Sequence, residues 1–79
     1  MPPNNILFLQ GLPETITQQH LTDLFQRYSG FKEVRMVPAK KSIAFVEYEN
    51  EIQSAVARAE LSGYLLGPDQ ALKVTFARK

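Results

Sequence analysis

Seventy-nine residues with nine Lys and Arg, eight Asp and Glu, one His and no Cys make one small domain of nearly balanced charge. Folding at this length hides about 60–65% of the unfolded surface, and without Cys neither a disulfide nor a thiolate metal site staples the core. A single His makes no zinc constellation, no apolar run approaches the ~20 residues of a membrane span, and no signal-peptide pattern opens the chain. A net charge of +1 is far from the basicity of a charge-driven nucleic-acid binder, while 44% hydrophobic content suits a folded core rather than a disordered tail.

Met1 to Asn5 is polar and turn-like and reads as a linker remnant, leaving residues 6–79 as the domain. Ile6 to Gln10 alternates as a first strand, with Leu7 and Leu9 on one face and Ile6, Phe8 and Gln10 on the other. Gly11-Leu12-Pro13 closes it, because Pro13 has no N–H to give to a ladder. Thr17 is a good N-cap for a helix expected over residues 18–28. Leu21, Leu24, Phe25 and Tyr28 form its apolar stripe, and Ser29-Gly30 supplies the stop. His20, in the first turn, reads as a solvated surface residue.

Phe31 to Val37 is a second strand, and Pro38 to Lys41 a short hairpin connection into a third, Lys41 to Tyr48. On that third strand Ala44, Val46 and Tyr48 point one way, and Lys41, Ile43, Phe45 and Glu47 the other. Asn50 caps a second helix over residues 51–62, ended by Gly63. Ile52, Ala55, Val56 and Ala59 form one stripe on it, while Ala57 and Leu61 lie further round; periodicity leaves open which set is buried. Tyr64-Leu65-Leu66 is a short extended piece and Gly67-Pro68-Asp69 a turn. Leu72 to Phe76 is a fourth strand, with Leu72, Val74 and Phe76 alternating with Lys73, Thr75 and Ala77.

This order is βαββαβ, the ferredoxin-like α+β arrangement: a four-stranded antiparallel sheet with both helices on one face and the other face open. The first and third strands are then central neighbours, which sets Phe8 beside Phe45 on the open face. Around them fall Gln10, Ile43, Arg35, Lys73 and Thr75. An exposed ring stacks on a nucleotide base for about 1–3 kcal/mol. Gln10 and Thr75 are placed to read base edges, and Arg35, Lys41, Lys73 and Arg78 to meet phosphates. Each residue also has a plainer role. The two rings suit cover by a tail or partner chain, Arg35 suits pairing with Glu33 or Glu47, and Lys73, Arg78 and Lys79 suit ordinary surface charge. Glu47, Glu49 and Glu51 suit a solvated rim that repels RNA locally.

Catalysis finds no footing. No nucleophile–base pair emerges. The loop Gly11-Leu12-Pro13-Glu14-Thr15 also lacks the Arg with which acylphosphatases of this topology cradle phosphate. No enzyme, cofactor, small-molecule substrate or membrane contact is expected.

Lys41-Ser-Ile-Ala-Phe-Val-Glu-Tyr48 resembles the octamer signature of the RNA recognition motif (RRM), matching five of its seven constrained positions. Ser42 and Ile43 depart from it. Leu7-Phe8-Leu9-Gln10-Gly11-Leu12 resembles the motif's hexamer signature, whose second residue is its other stacking aromatic. Within the family, four blocks are similar to the C-terminal RRM of the spliceosomal snRNP proteins A and B-double-prime. They are Pro3 to Leu9, Gly30 to Pro38, Ile43 to Tyr48 and Lys73 to Lys79. The resemblance implies a nuclear splicing component and the second RRM of a longer protein, without a strong RNA site of its own; the sheet residues themselves are read as binding single-stranded RNA (snRNA or pre-mRNA) weakly. The resemblance also implies other snRNP proteins as partners. The aliphatic Ile43 where the octamer has an aromatic, and the short Pro38–Lys41 connection, leave a second role open: a protein-interaction module with little RNA affinity.

Overall fold

A period of two in Leu7 and Leu9 makes Ile6–Gln10 the first strand, β1, in the computed structural model, which describes residues 3–78. Helix α1 (Gln18–Phe25) follows, then β2 (Phe31–Met36), β3 (Ala44–Tyr48) and α2 (Glu51–Leu61). A small hairpin of β4 (Leu65–Gly67) and β5 (Gln70–Ala71) leads into β6 (Lys73–Phe76). The main sheet has the order β2-β3-β1-β6, antiparallel throughout, so β1 and β3 are its centre as the sequence predicts. Its inner face carries Leu7, Leu9, Val34, Ala44, Val46, Tyr48, Val74 and Phe76. These pack with Leu21, Leu24 and Phe25 of α1 and Ala57 and Leu61 of α2 into one core.

The Thr17 cap is as expected, its hydroxyl accepting the His20 N–H at 3.1 Å. The helix ends sooner than residue 28. The carbonyl of Phe25 is taken by the Tyr48 hydroxyl at 2.7 Å and by the Tyr28 N–H at 3.2 Å, so it is not left for the N–H of Ser29 and the last turn tightens. Tyr28 still packs against the core. Gly30 starts the approach to β2 instead of capping α1. Its φ of +86° is one that favours glycine.

The third strand begins at Ala44, three residues later than its alternation suggests. Two consecutive tight turns, Lys40 N–H to Val37 and Ile43 N–H to Lys40, occupy the connection, and the Ser42 carbonyl accepts the Leu12 N–H at 3.1 Å. Lys41 and Ile43 are therefore loop residues. The fourth strand of the main sheet likewise starts at Lys73, because Leu72 exchanges its backbone bonds with Tyr64 and Gly63. Asn4 and Asn5, read from sequence as linker, are built into the fold. Asn4 is buried and donates to the Ala77 carbonyl at 3.0 Å, while its own carbonyl accepts the Ser54 hydroxyl at 2.5 Å. Asn5 donates to the Tyr48 carbonyl at 3.1 Å. Met1 and Pro2, the outer part of that segment, lie outside the described residues, as does Lys79.

Helix α2 resolves the ambiguity between its stripes. Ser54, Ala57 and Leu61 face the core; of the more conspicuous set Ala55 packs against its edge, while Ala59, Ile52 (74% exposed) and Val56 (52% exposed) face outward. Leu61→Ala is expected to cost about 2–5 kcal/mol by opening a core cavity, and Ile52→Ala under ~0.5 kcal/mol; urea unfolding of the two variants checks the contrast. Burial, with a smaller contribution from Tyr28, raises the Tyr48 phenol well above its ordinary pKa. The folded state thus keeps a proton that the unfolded chain releases near pH ~10. That contribution is whole below pH ~10 and declines as pH climbs toward the folded-state value. Tyr48→Phe is expected to lose about 0.5–1.5 kcal/mol at neutral pH, and to flatten the alkaline fall in stability measured by thermal melts from pH ~9 to ~11.

Candidate nucleic-acid interface

The face of the sheet away from the helices is organised in cross-strand rows. The middle row runs Arg35, Phe45, Phe8, Thr75 across β2, β3, β1 and β6. Because Phe8 and Phe45 are direct cross-strand partners, their rings meet at a centroid distance of 5.3 Å and a tilt of 33°. Both stay half-exposed. On one side of this row Gln10 pairs with Lys73. On the other, Glu33 stands opposite Glu47 and Glu47 opposite Ile6, whose carbonyl accepts the Ala77 N–H at 2.9 Å.

Two hollows share the Phe45 ring. The larger, about 540 Å³, is lined by Phe8, Gln10, Lys73, Thr75 and Phe76 as well as Phe45. That is within the ~300–1,000 Å³ of small-ligand clefts. The smaller is lined by Ile6, Arg35, Phe45 and Glu47. Ala77 and Arg78 border both. Arg78 thus reaches the aromatic pair from the end of β6, although it lies beyond the strand.

The charges divide unequally. Glu33 and Glu47 would repel across the ladder. Arg35 answers both, with Nε 2.8 Å from Glu33 and Nη2 3.2 Å from Glu47, and Lys32 Nζ stands 3.8 Å from Glu47. Two acids and two bases thus neutralise one another at the β2 side. Lys73 and Arg78, at the β6 side, form no ion pair among the described residues. Cationic character at the rings therefore comes from β6 and its extension, not from β2.

The structure accordingly gathers Phe8, Gln10, Phe45, Lys73, Thr75 and Arg78 around one surface, with Arg35 present but engaged. Lys41 is exposed and Ile43 half-buried on the β2–β3 turn, and neither borders the two hollows. Sequence reasoning passed over Glu47, Ile6 and Ala77 as parts of the site. The signal was available: Glu47 and Ile6 each fall two residues from a site residue on an alternating strand, hence on the same face, and Ala77 continues that spacing one residue past β6. Among the described residues no group of His, Asp and Glu side chains is arranged to hold a metal. Nor, among the described residues, is any helix long and apolar enough to cross a membrane.

Comparison with known proteins bears out the fold and the family. Residues 7–70 match the profile of the RNA recognition motif. The chain is 49% identical over 79 residues to U2 small nuclear ribonucleoprotein B'' of Arabidopsis thaliana, covering 100% of this chain and 34% of that protein. It is 50% identical over 78 residues to U1 small nuclear ribonucleoprotein A of Drosophila melanogaster, covering 99% and 36% respectively. The chain thus spans about a third of the length of the curated relatives it matches. Among solved structures, the RRM of RNA15 superposes with a TM-score of 0.82 at 26% identity, covering 96% of this chain and 92% of that one. The MEC-8 C-terminal RRM bound to AGCACA gives 0.82 at 28% identity, covering 94% and 90%. The paired signatures on β1 and β3, the sheet order and these likenesses agree: the chain belongs to the RNA recognition motif family.

Proposed function

We propose that this chain binds single-stranded RNA on its open sheet face, as a non-catalytic module of a spliceosomal small nuclear ribonucleoprotein acting in the nucleus. The observation that carries this reading is the half-exposed Phe8–Phe45 pair, bordered by Lys73 and Arg78, with no carboxylate among the described residues neutralising either. Two rings in van der Waals reach of each other offer stacking surfaces to adjacent bases, and each such stack contributes about 1–3 kcal/mol. Thr75, in the row of the rings, and Gln10, in the row beside it, have side-chain groups for base edges. Lys73 and Arg78 take the phosphates. Arg35 serves chiefly as the counter-ion of Glu33 and Glu47, and Lys41 and Ile43 flank the site from the turn. The names of the snRNP relatives supply the splicing context, with snRNA or pre-mRNA as the RNA and other proteins of the particle as neighbours.

With Lys73 and Arg78 the only unpaired cations at the site among the described residues, affinity is expected to be modest and to rest on stacking more than on charge. An NMR titration with short single-stranded RNA pools, at low salt and again near ~150 mM, is expected to shift the amides around Phe8, Phe45 and Thr75. Phe8→Ala and Phe45→Ala should each weaken binding roughly ten- to a hundredfold while the fold persists. Lys73→Gln should lower the slope of log affinity against log salt by about 0.7, the value for one single-strand phosphate contact, and Arg35→Gln should leave it nearly unchanged. A spectrum unmoved at millimolar RNA would refute the RNA reading and leave the chain as a protein-interaction module.

A further inference from the structure

The smaller hollow, beside Phe45 and away from Lys73, has a composition that a simple stacking platform does not need. Ile6 and Ala77 give it apolar surface and Phe45 an aromatic one, while Glu47 places a carboxylate among them and Arg35 and Arg78 border it with guanidinium groups. That carboxylate is held in place: its side chain is 22% exposed, against 63% for Arg35. Its Oε1 accepts from Arg35 Nη2 at 3.2 Å, whereas Lys32 stands 3.8 Å from Oε2, too far for a hydrogen bond. A carboxylate has about four acceptor positions, so most of Glu47's capacity is unspent. Arg35, with Nε on Glu33 and one Nη2 bond to Glu47, keeps further N–H groups at the same place.

An acceptor-only group next to a donor-only group selects among bases by the pattern on their Watson–Crick edges. Guanine alone carries two adjacent N–H donors, N1 and N2, followed by the acceptor O6. Adenine, cytosine and uracil each offer a carboxylate only one donor position. We propose that this hollow is a guanine-selective subsite, with Glu47 accepting from N1–H and N2–H, Arg35 donating to O6, and Phe45, Ile6 and Ala77 packing the ring. The proposal rests on the RNA-binding reading and deepens it. Arg35 becomes a positioning residue that also touches the base, and Glu47 the residue that decides which base enters. The acid that tells against phosphates then has a use on an RNA-binding face.

The test uses U-rich RNA hexamers that are all uridine or carry a single G, A or C. Binding to the wild-type chain and to Glu47→Gln is followed by fluorescence anisotropy, with amide shifts locating the site. The carboxamide keeps the shape but turns one acceptor into a donor. Wild type is expected to favour the G-containing hexamer roughly tenfold, the scale of a bidentate base contact. Glu47→Gln should cut that preference, read as the ratio of G-containing to all-uridine affinity, to about twofold, and a thermal melt should confirm the variant folds. Equal affinity for all four hexamers overturns the subsite while leaving RNA binding intact, as does a guanine preference that survives Glu47→Gln. A uniform gain for every hexamer in the variant also overturns it, showing that Glu47 only repels. If no hexamer binds, or the shifts avoid Phe8 and Phe45, the RNA-binding reading falls and this subsite with it.

Discussion

Pairing Leu7 with Val46 and Phe8 with Phe45 settles two faces of the molecule in one step. Inward, it aligns Leu7 and Leu9 with Ala44 and Val46, the middle of the core under both helices. Outward, it sets two rings side by side where a flat ligand can meet both. The two outcomes cannot be separated, because side chains alternate strictly along a strand. A slip of one residue would drive the phenylalanines inward and expose the leucines. Burial of the aliphatic face thus holds the register that the aromatic face needs. The Tyr48 hydroxyl on the Phe25 carbonyl extends that hold to the end of α1.

Electrostatics then refine a surface that packing has already shaped. A chain of net charge +1 has little long-range attraction for a polyanion, so the placement of each cation matters more than the total. At the β2 side the cross-strand acids consume Arg35 and Lys32. At the β6 side Lys73 and Arg78 stay unpaired among the described residues. The face therefore has a polarity, with charge for a backbone on one flank and a neutral, hydrogen-bonding cluster on the other. Such exposed pairs add little to stability; their effect lies in what they allow to bind.

The sheet order, the two caps and the aromatic pair were all legible in the sequence, because each depends on local periodicity or on one residue at a helix start. The misreadings share a cause in tertiary contact. Nothing local to Gln26, Arg27 and Tyr28 announces that Tyr48, more than twenty residues on, takes the Phe25 carbonyl. Nothing in Lys41-Ser42-Ile43 says that the Ser42 carbonyl is claimed by Leu12. Asn4 looked like linker because its partners, Ala77 and Ser54, lie at the other end of the chain and on α2. In α2 two apolar stripes compete, and the face bearing the small Ser54 and Ala57, with Leu61, is the one buried against the sheet. Glu47 was visible on the correct face. Its value depends on Arg35 and the hollow beside Phe45, which only the assembled sheet provides.

The Asn4–Ala77 bond ties together the two places where the chain enters and leaves the fold. They flank β1 and β6, which are antiparallel neighbours, so both places lie at the same end of the same ladder. Tension between those two places would load the seam in a zip geometry, one hydrogen bond after another, instead of shearing the whole ladder at once. It would begin at Asn4 and Ala77 and pass next to Phe8 and Thr75. The seam between the terminal strands is thus the mechanically soft line of the molecule, and it runs through the open face.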